Sequence, residues 1–366
     1  MILKKLQLLN FKNWPEAQFN FSDKLNCFVG NNGAGKTNVL EAIHYLSVCK
    51  GYFNLVDSQN IKDEEPFFVL EGSFDKKERI HQIYCGLKRG EKKVFKKDKK
   101  QYDKLAQHIG QFPSVIISPY DRDLIMDGSE VRRKFMDGVI SQSNPLYLDS
   151  LQRYNRTLQQ RNALLKYFAA NGTYSTSDIQ VYNEQLAEKG QYIFEKRQEF
   201  LDEIAPKLLY YFEAITQKRE QPEMEYASQL KELNWKQLFE KYEQRDAVNQ
   251  YTGCGIHKDD LQFKINDRGV KKFGSQGQQK SFLIALKLAQ YDFLKAKHGF
   301  APLLLLDDIF DKLDEERVEQ LVRLVHSENF GQIFITDTHK ERTVHLAQAI
   351  DQNARIFTID NAQLVS

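Results

Sequence analysis

The chain has 366 residues, of which 41% are hydrophobic and 28% are charged, a balance typical of a soluble globular protein with one large or two ordinary domains. The formal net charge is only +2, which excludes a polycation, so any binding of nucleic acid depends on local patches. A membrane protein and a secreted protein are also disfavoured, because no stretch approaches the roughly 20 apolar residues of a membrane span and the first residues lack a signal-peptide core.

The cysteines support the same conclusion. They have neither zinc-ligand nor redox spacing, which indicates free thiols in a reducing compartment. They are Cys27, Cys49, Cys85 and Cys254. We therefore expect a cytoplasmic protein without a membrane partner.

Residues 1–120 carry strand patterns around a glycine-rich loop. Strands are predicted at residues 2–9, 17–21, 25–29, 67–74, 80–87 and 113–118. A helix is predicted at 37–48, where Val39, Leu40, Ile43 and Leu46 recur at helical spacing. The predicted order of strand, glycine loop and helix is the context of a phosphate-binding loop.

Residues 121–250 are mostly helical in pattern. The longest periodic runs are 145–170 and 179–214, and residues 171–178 form the loop between them, with Ser177 or Asp178 as the helix cap. At 1.5 Å per residue this predicts an antiparallel helical pair about 40–50 Å long. Such a pair is too short for a long coiled-coil arm.

Residues 251–366 alternate between strands and helices. Strands are predicted at 261–265, 303–306 and 332–336, and helices at 279–294 and 315–326. This alternation favours a mostly parallel sheet. We therefore expect a nucleotide-binding α/β domain built from 1–120 and 251–366, with 121–250 as a helical insertion.

A phosphate loop lies between the strand at 25–29 and the following helix. Its residues are Gly30, Asn31, Asn32, Gly33, Ala34, Gly35, Lys36 and Thr37. The glycines let backbone amides approach phosphate oxygens, and the helix N-terminus adds a positive dipole. We expect Lys36 to reach the β- and γ-phosphates of ATP and Thr37 to bind Mg²⁺. The flanking strand and helix disfavour the alternative, a glycine-rich turn with a chance Gly-Lys-Thr.

Two carboxylates follow the four leucines at 303–306. Such a run is typical of a buried strand in a parallel sheet, and a carboxylate at its tip meets the metal side of a nucleotide. We therefore expect Asp307 to bind Mg²⁺. Asp308, whose side chain alternates away along the strand, is the candidate base or water-orienting group for attack on the γ-phosphate. A surface Asp-Asp turn is the alternative, mainly to the role of Asp308.

The polar stretch at 275–279 resembles a Ser-x-Gly-Gln signature, and it precedes a predicted helix. The hydroxyl of Ser275, the amide of Gly277 and the side chain of Gln278 would form an anion site at this helix start. Because the phosphate loop already holds one side of the nucleotide, a second anion site best serves the γ-phosphate of ATP on a partner. The three motifs together predict two ATP molecules sandwiched between two subunits, although the stretch alone could be an ordinary polar turn.

Two other segments could belong to the same site. Residues 311–314, Asp-Lys-Leu-Asp, either line the subunit interface or form a charged helix cap. His339 follows the strand at 332–336, and it either senses the γ-phosphate or is a lone surface histidine.

Basic residues are concentrated in two places. Residues 88–100 hold eight basic residues against Glu91 and Asp98 and are predicted to form a hairpin tip. The tip either contacts DNA phosphates, which carry no sequence information, or guards a solvated edge strand. The predicted insertion adds further candidates, although charges on helix surfaces usually serve solvation. They are Arg132, Arg133, Lys134, Arg153, Arg156 and Arg161.

Together these motifs resemble those of the RecF family of bacterial recombination mediators, which is related to the ABC-type ATPases of the SMC group. The resemblance covers essentially the whole length, with family-like stretches at 40–43, 118–119, 132–137, 154–156, 160–165 and 255–260. The chain departs from the family pattern at Gly51-Tyr52-Phe53, where relatives usually show Ser-Phe-Arg. It also has Ile256 and Lys258 where proline and arginine are usual.

The resemblance implies a fold and an activity. The fold would be an α/β ABC-type ATPase head with a mainly parallel sheet, an antiparallel β subdomain and a helical insertion. The cofactors would be ATP and Mg²⁺, and the activity a weak DNA-dependent hydrolysis of ATP. The chain would form an ATP-dependent homodimer on single-stranded, gapped or junction DNA. With RecO and RecR it would help to load RecA onto strand coated by single-stranded-DNA-binding protein.

Other classes remain for comparison. A transporter cassette is disfavoured because most of the chain separates Lys36 from Ser275 and no membrane partner helix is present. A full SMC protein would insert hundreds of coiled-coil residues, and an ATPase-linked nuclease would need an extra acidic metal-binding domain. Two alternatives stay open: a related ATPase with a non-RecF partner, and ATP used as interface glue without significant turnover. Asp308 is the residue that discriminates turnover from glue.

Overall fold

The computed structural model of the chain describes residues 1–53, 56–217, 220–309, 320, 324 and 330–365. It divides into two compact units. Unit 1 comprises Met1–Arg122, Tyr210–Glu220 and Gln276–Ser366, and unit 2 comprises Asp123–Leu209 and Gln221–Ser275. The predicted boundaries at residues 120 and 250 stay a prediction.

The described elements are as follows in chain order. The strands are β1 (Ile2–Phe11), β2 (Trp14–Asn20), β3 (Leu25–Val29), β4 (Phe67–Lys76), β5 (Arg79–Lys88), β6 (Val94–Lys97), β7 (Lys100–Gln101), β8 (Ser114–Ile117), β9 (Pro222–Ala227), β10 (Asp260–Ile265), β11 (Arg268–Gly269), β12 (Leu303–Asp307), β13 (Ile333–Asp337), β14 (Arg355–Asp360) and β15 (Gln363–Val365). The helices are α1 (Lys36–Val48), α2 (Asp123–Met126), α3 (Ser129–Ser143), α4 (Pro145–Asn171), α5 (Thr176–Thr216), α6 (Trp235–Asn249), α7 (Val270–Phe273), α8 (Gln276–His298) and α9 (Lys340–Ile350).

One six-stranded sheet of unit 1 is antiparallel, with the order β2-β1-β4-β5-β6-β7. In β1, buried Leu6 and Leu8 alternate with the more exposed Lys5 and Gln7, so one face of the sheet enters the core. The predicted pairing of the first two strands is confirmed, with Leu6 opposite Phe19.

The other six-stranded sheet of unit 1 has the order β15-β14-β3-β13-β12-β8 and is parallel except for the pair β14–β15. Every residue of β3, β12 and β13 is buried, which explains why these strands read as continuous apolar runs. The expected mostly parallel sheet is thus confirmed. Its register sets Asp307 beside Thr336 and Leu306 beside Ile117, so the carboxyl ends of β8, β12 and β13 meet at one edge.

Helix α1 packs against both sheets, with contacts to β1 and β4 on one side and to β8 and β12 on the other. Ten of its thirteen residues are buried, including the four at the predicted helical spacing. Because the helix is covered nearly all round, it lacks the polar face of a surface helix. The glycine loop at its start is therefore held by the core of unit 1.

The two long helices predicted for the insertion are confirmed as α4 and α5. Arg161 Nε donates to Asn183 Oδ1 at 2.8 Å and Thr157 Oγ1 to Gln185 Oε1 at 3.3 Å, so within unit 2 the helices run antiparallel. The predicted cap is wrong, because α5 already begins at Thr176. Ser175 Oγ instead accepts a hydrogen bond from the amide of Asp178 at 3.3 Å, as an N-cap side chain does.

A strand lies in the region that the sequence predicted to be mostly helical. β9 pairs antiparallel with β10 in the three-stranded sheet β11-β10-β9 of unit 2. Pro222 and Tyr226 are buried, and exposed Glu223 and Glu225 alternate with them. The alternation extends over only six residues, and its glutamates favour a helix in isolation. The pairing with β10 therefore overrides the local helix propensity.

Two buried arginines organise unit 2. Arg197 Nη2 lies 3.0 Å from Asp137 Oδ1, and its Nη1 lies 3.2 Å from Asp259 Oδ2. Arg161 Nη1 donates at 2.8 Å to both Asp246 Oδ2 and Thr252 Oγ1. The family-like stretches at 132–137, 160–165 and 255–260 supply many of these groups, which gives them a structural role.

The predicted helix at 315–326 lies outside the described residues, apart from residues 320 and 324. Among the helices that the structure does describe, none is long and apolar enough to cross a membrane.

Removing the guanidinium of Arg161 should destabilise unit 2. Arg161 is only 1% exposed, and Arg161→Met would leave the Asp246 carboxylate buried without its partner. We expect the free energy of unfolding of unit 2 to fall by about 3–5 kcal/mol. Amide hydrogen exchange in α4 and α6 at increasing urea concentrations measures this change. Arg156→Met changes an exposed arginine of the same helix and should cost less than about 0.5 kcal/mol. Equal effects of the two variants would contradict the role assigned to Arg161.

Candidate active site

The glycine loop joins β3 to α1 in a conformation that requires glycine. Gly35 adopts φ 108°, in the left-handed region that side chains disfavour. A Cβ on Gly30 would lie 2.1 Å from the backbone oxygen of Ile359 in β14. The amide of Ala362 donates to the Ala34 oxygen at 2.9 Å, so the β14–β15 turn supports the loop from one side. These constraints fix the loop without any bulky side chain.

Lys36 places its ammonium inside this loop. The residue is 4% exposed, and its Nζ donates to the oxygens of Gly30 at 2.8 Å and Asn31 at 2.9 Å. No side chain caps the start of α1 at Gly35, so the first amides of the helix are available to an anion. A lysine cation and uncapped helix amides at one loop fit the phosphates of a nucleotide.

A buried carboxylate lies beside the loop. Asp307 Oδ1 accepts hydrogen bonds from Thr37 Oγ1 at 2.7 Å and from Thr336 Oγ1 at 2.8 Å. Ser118 Oγ is 3.4 Å from Asp307 Oδ2. Burial raises the pKa of the Asp307 carboxyl above its ordinary value, although the hydrogen bonds from Thr37 and Thr336 oppose that effect. The structure therefore joins Thr37 to Asp307, and the binding of Mg²⁺ by these two residues stays a prediction.

This donor set fits Mg²⁺. One hydroxyl and one carboxylate suit a small cation that keeps several waters and takes phosphate oxygens as further ligands. In the part of the chain that the structure describes, no group of three or more His, Cys, Asp or Glu side chains could hold a metal by itself. A cation here would thus bind together with a nucleotide rather than in a cage of protein ligands.

Asp308 follows β12 in a conformation that the strand pattern did not predict. It has φ 44°, so a left-handed turn and not the alternation of the strand sets its direction. Its amide donates to Thr336 Oγ1 at 3.0 Å, which ties it to β13. The predicted alternation at Asp308 is therefore wrong, whereas its role in hydrolysis stays a prediction.

Three residues that support the loop escaped the sequence analysis. Trp14 Nε1 donates to the Gly35 oxygen at 3.0 Å, and Asn13 Nδ2 to the Gly33 oxygen at 3.4 Å. Asn38 Nδ2 in turn donates to Asn13 Oδ1 at 2.7 Å. They come from the β1–β2 turn, the start of β2 and α1, and no local pattern relates residues 13 and 14 to the loop some twenty residues later.

The predicted anion site lies at the start of α8. The helix begins at Gln276, three residues before the predicted start, and Ser275 directly precedes it and is exposed. Gly277 falls in the first turn, where amides lack intrahelical acceptors and glycine costs little. Gln278 Nε2 donates to Glu220 Oε1 at 2.5 Å, so this side chain already has a protein partner.

His339 lies two residues after β13, directly before α9, and is exposed, and its amide donates to Asp337 Oδ1 at 3.1 Å. Burial favours a raised pKa for Asp337, but the Arg342 guanidinium, 2.6 Å away, together with the hydrogen bonds from the His339 amide and Thr343, holds the pKa of that carboxyl below its ordinary value. The Asp337–Arg342 pair, which the sequence did not reveal, thus fixes the backbone at His339. Residues 311–314, predicted for the interface or a helix cap, lie outside the described residues.

Several basic residues predicted as DNA contacts have other partners. Lys93 Nζ lies 2.7 Å from Asp57 Oδ2 and 2.9 Å from Tyr45 OH. Arg132 forms two hydrogen bonds with Asp260, at 2.7 and 3.0 Å, and Arg161 is buried. These contacts leave fewer basic groups for DNA. Exposed ones are Lys88, Arg89, Lys92, Lys99, Lys100, Lys134, Arg153 and Arg156.

Comparisons with known sequences show which proteins this chain is similar to. The family model described as RecF/RecN/SMC N terminal domain matches residues 2–364. The DNA replication and repair protein RecF of Flavobacterium johnsoniae is 54% identical over 359 residues, which cover 98% of this chain and 100% of that protein. The RecF of Bacteroides thetaiotaomicron is 45% identical over 361 residues, covering 98% and 97%.

Solved structures agree with this relationship. A structure of the recombination mediator protein RecF with ATP in the RecFOR pathway superposes with a TM-score of 0.88 at 28% identity, covering 100% of this chain and 97% of that one. The Smc head domain of Pyrococcus furiosus bound to the C-terminal domain of ScpA gives a TM-score of 0.59 at 14% identity, covering 100% and 96%. The second likeness concerns the fold alone. Together they confirm the expected ATPase-head fold with its parallel sheet, antiparallel sheet and helical insertion.

The raised pKa of Asp307 predicts a dependence of stability on pH. Ionising this carboxyl costs more in the folded than in the unfolded chain, so its contribution to stability falls as pH rises from the ordinary value of 3.8 through the raised value. Asp307→Asn cannot ionise, and the nucleotide-free variant should melt at a higher temperature than the native protein above this range. The difference should vanish below about pH 4, near the unfolded pKa. A variant that melts lower at pH 7 would contradict this assignment.

Proposed function

The chain belongs to the RecF family of bacterial DNA replication and repair proteins, the SMC-related ABC-type ATPases, and from this membership we propose that it is an ATP-dependent DNA-binding protein of recombinational repair. One observation supports the proposal more than any other. The part-buried hydrogen bond between Thr37 and Asp307 joins the phosphate loop, in which Lys36 Nζ donates to the Gly30 oxygen, to the carboxyl end of β12. A carboxylate buried there, at a cost to folding, suits a site that binds a metal nucleotide.

The nucleotide is held by groups with separate tasks. Lys36 gives up its hydrogen bonds to the loop oxygens and binds the β- and γ-phosphates, and the uncapped amides of α1 bind the oxygens nearest the helix start. Thr37 and Asp307 would hold Mg²⁺, which would supply positive charge to the phosphate groups. Asn13 and Trp14 keep the loop open, because they hold the oxygens of Gly33 and Gly35.

Hydrolysis needs a group that orients water. Asp308 accepts the proton of the attacking water or fixes its direction, while Lys36 stabilises the charge on the γ-phosphate. The turn at Asp308 and the hydrogen bond from its backbone amide to Thr336 Oγ1 support this task, because they hold the residue at the carboxyl ends of the strands. We infer that turnover is slow and depends on DNA, as the family resemblance implies.

Two subunits share the nucleotide. Ser275, Gly277 and Gln278 at the start of α8 bind the γ-phosphate of the ATP held by the partner subunit, and His339 senses the same group. Gln278 would exchange its bond to Glu220 for one to the partner's nucleotide. ATP thereby closes a homodimer, and its hydrolysis releases the dimer.

DNA is the substrate of this switch. The exposed lysines and arginines of the β5–β6–β7 region contact phosphates of single-stranded, gapped or junction DNA without reading its sequence. With RecO and RecR the closed dimer supports loading of RecA in the cytoplasm. Since the contacts are with the DNA backbone, affinity for DNA falls steeply as salt rises.

Ser275→Arg should separate nucleotide binding from dimerisation. The added side chain would fill the anion site that receives the partner's γ-phosphate and leave the phosphate loop intact. We expect ATP affinity by calorimetry to stay within about threefold of the native value, whereas the ATP-dependent dimer disappears in sedimentation velocity. Lys36→Met is the matched control, because it should lose ATP binding itself. A full dimer with Ser275→Arg and ATP would refute the proposed role of the signature.

Asp308→Asn should separate dimerisation from turnover. The amide cannot accept a proton from water, so we expect ATP-dependent dimers that hydrolyse ATP at least about tenfold more slowly, a loss of roughly 1.4 kcal/mol of transition-state stabilisation. Sedimentation with ATP, ADP and gapped DNA, together with single-turnover hydrolysis, measures both effects. Unchanged turnover would exclude Asp308 as the base. Dimers in a native protein without turnover would favour ATP as interface glue.

A further inference from the structure

A buried ion pair lies on α8, away from its signature end. Lys287 Nζ is 2.8 Å from Asp121 Oδ1, and the two side chains are only 4% and 2% exposed. The same ammonium donates to Tyr52 OH at 3.0 Å and lies 5.2 Å from the centre of the Tyr52 ring. All three residues belong to unit 1, on α8, on the turn after β8 and on the segment after α1.

The Asp121 carboxylate connects this pair to the metal site. Its Oδ1 also accepts a hydrogen bond from Tyr52 OH, and its Oδ2 accepts one from the amide of Ser118 at 2.8 Å. The Ser118 hydroxyl donates in turn to Asp307 Oδ2 at 3.4 Å. A path of polar contacts thus runs from α8 through Asp121 and Ser118 to the residue that would bind Mg²⁺.

Stability alone does not account for a buried pair at this position. Apolar side chains of similar volume often serve a core equally well, because the desolvation of two charges offsets their attraction. A fully hydrogen-bonded pair instead fixes one relative position of the groups it joins. Here that position relates α8 to the segment that carries Ser118.

The histidine beside this ion pair, His44, adds no charge to it. His44 packs edge-on against Tyr52, with ring centres 5.2 Å apart. Burial, helped by the charge of Lys287, lowers the pKa of His44 to about 3, so the imidazole is neutral near pH 7.

Helix α8 is suited to transmit a displacement. Lys287 follows Gln276, its first residue, by eleven positions, or about 17 Å of helix. Most residues of the helix between Ser281 and Leu294 are buried, so it is held as a rigid rod. Any displacement of its first turn, where Gly277 and Gln278 lie, therefore moves Lys287 as well.

We propose that Lys287 is a positioning residue that couples the signature end of α8 to the Mg²⁺ site through Asp121 and Ser118. When α8 engages the nucleotide of a partner, the ion pair sets Ser118 against Asp307 in the geometry that holds the metal. This inference rests on the proposed function, because it assigns the regulation of that same site. It adds residues that act only through others and do not touch the nucleotide.

The first test uses two variants that avoid an unpaired buried charge. The double variant Lys287→Met/Asp121→Asn removes both charges, and Tyr52→Phe removes one hydroxyl. Calorimetry measures ATP affinity with Mg²⁺ and with EDTA, and single-turnover assays measure hydrolysis. We expect the ATP affinity measured in EDTA to change less than threefold. In the double variant, the gain in ATP affinity that Mg²⁺ provides should fall about tenfold. The rate of ATP hydrolysis should fall at least as much. Tyr52→Phe should show the same pattern more weakly.

A second measurement needs neither nucleotide nor turnover. The amide of Ser118 is protected by the Asp121 carboxylate, so the double variant should speed hydrogen exchange in the peptide 114–122 by tenfold or more. Tyr211→Phe is the matched control, because it removes a part-buried hydrogen bond to the same helix, from Tyr211 OH to Asp292 Oδ2 at 2.7 Å. The control should leave exchange at 114–122, the Mg²⁺ gain and hydrolysis unchanged.

The outcomes separate this inference from the proposed function. A folded double variant with native Mg²⁺ gain and native exchange at 114–122 would overturn the role of Lys287. An equal loss of affinity in EDTA and in Mg²⁺ would overturn it too, since it would indicate a purely structural pair. A native protein that neither dimerises nor hydrolyses ATP would refute the proposed function. The gain in ATP affinity from Mg²⁺ and the hydrogen-exchange rates at 114–122 would still show whether Lys287 is coupled to the candidate metal site.

Discussion

The candidate site depends on keeping one carboxylate out of water. Asp307 is buried at the end of β12, where an isolated charge would be costly, and hydroxyl groups from α1, β13 and the end of β8 offset that cost. The parallel register is what brings these groups to one point, since the carboxyl ends of neighbouring strands meet at the same edge of the sheet. The sheet and the candidate metal site therefore share one structural requirement: a shift of one residue in either register would remove a hydroxyl from Asp307.

Much of the fold and part of the site follow from local patterns in the sequence. The apolar runs of β3 and β12, the glycine loop and α1 are each short enough to identify alone, and the order in which they occur predicts that Thr37 meets Asp307. What remained hidden depends on pairing between distant segments. Trp14 supports the loop across the β1–β2 turn, Asp121 meets Lys287 across more than 160 residues, and β9 becomes a strand only because β10 lies beside it. No period or cap in the sequence records such contacts.

Charge was the least informative feature before the structure was known. Arg132 and Arg161 looked equivalent to Arg153 and Arg156 on helices of the insertion, yet the first two have buried or bidentate carboxylate partners. The difference lies in the partners, Asp260 and Asp246, which come from segments far along the chain. The stretches at 160–165 and 255–260, which look specific to the family, therefore have a structural role in unit 2, whatever contacts with DNA they also make.

The phosphate loop is supported by segments from opposite ends of the sequence. Trp14 holds Gly35 from one side, and the turn between β14 and β15 holds Ala34 from the other, with Ile359 packed against Gly30. During synthesis, a nascent chain would expose residues 30–37 long before residues 359–362 emerge from the ribosome. Because β14 pairs directly with β3, the central strand could not gain its second neighbour until then. Nucleotide would thus have little to bind on an unfinished chain, and a slow late folding step is expected for a topology that closes over such a distance.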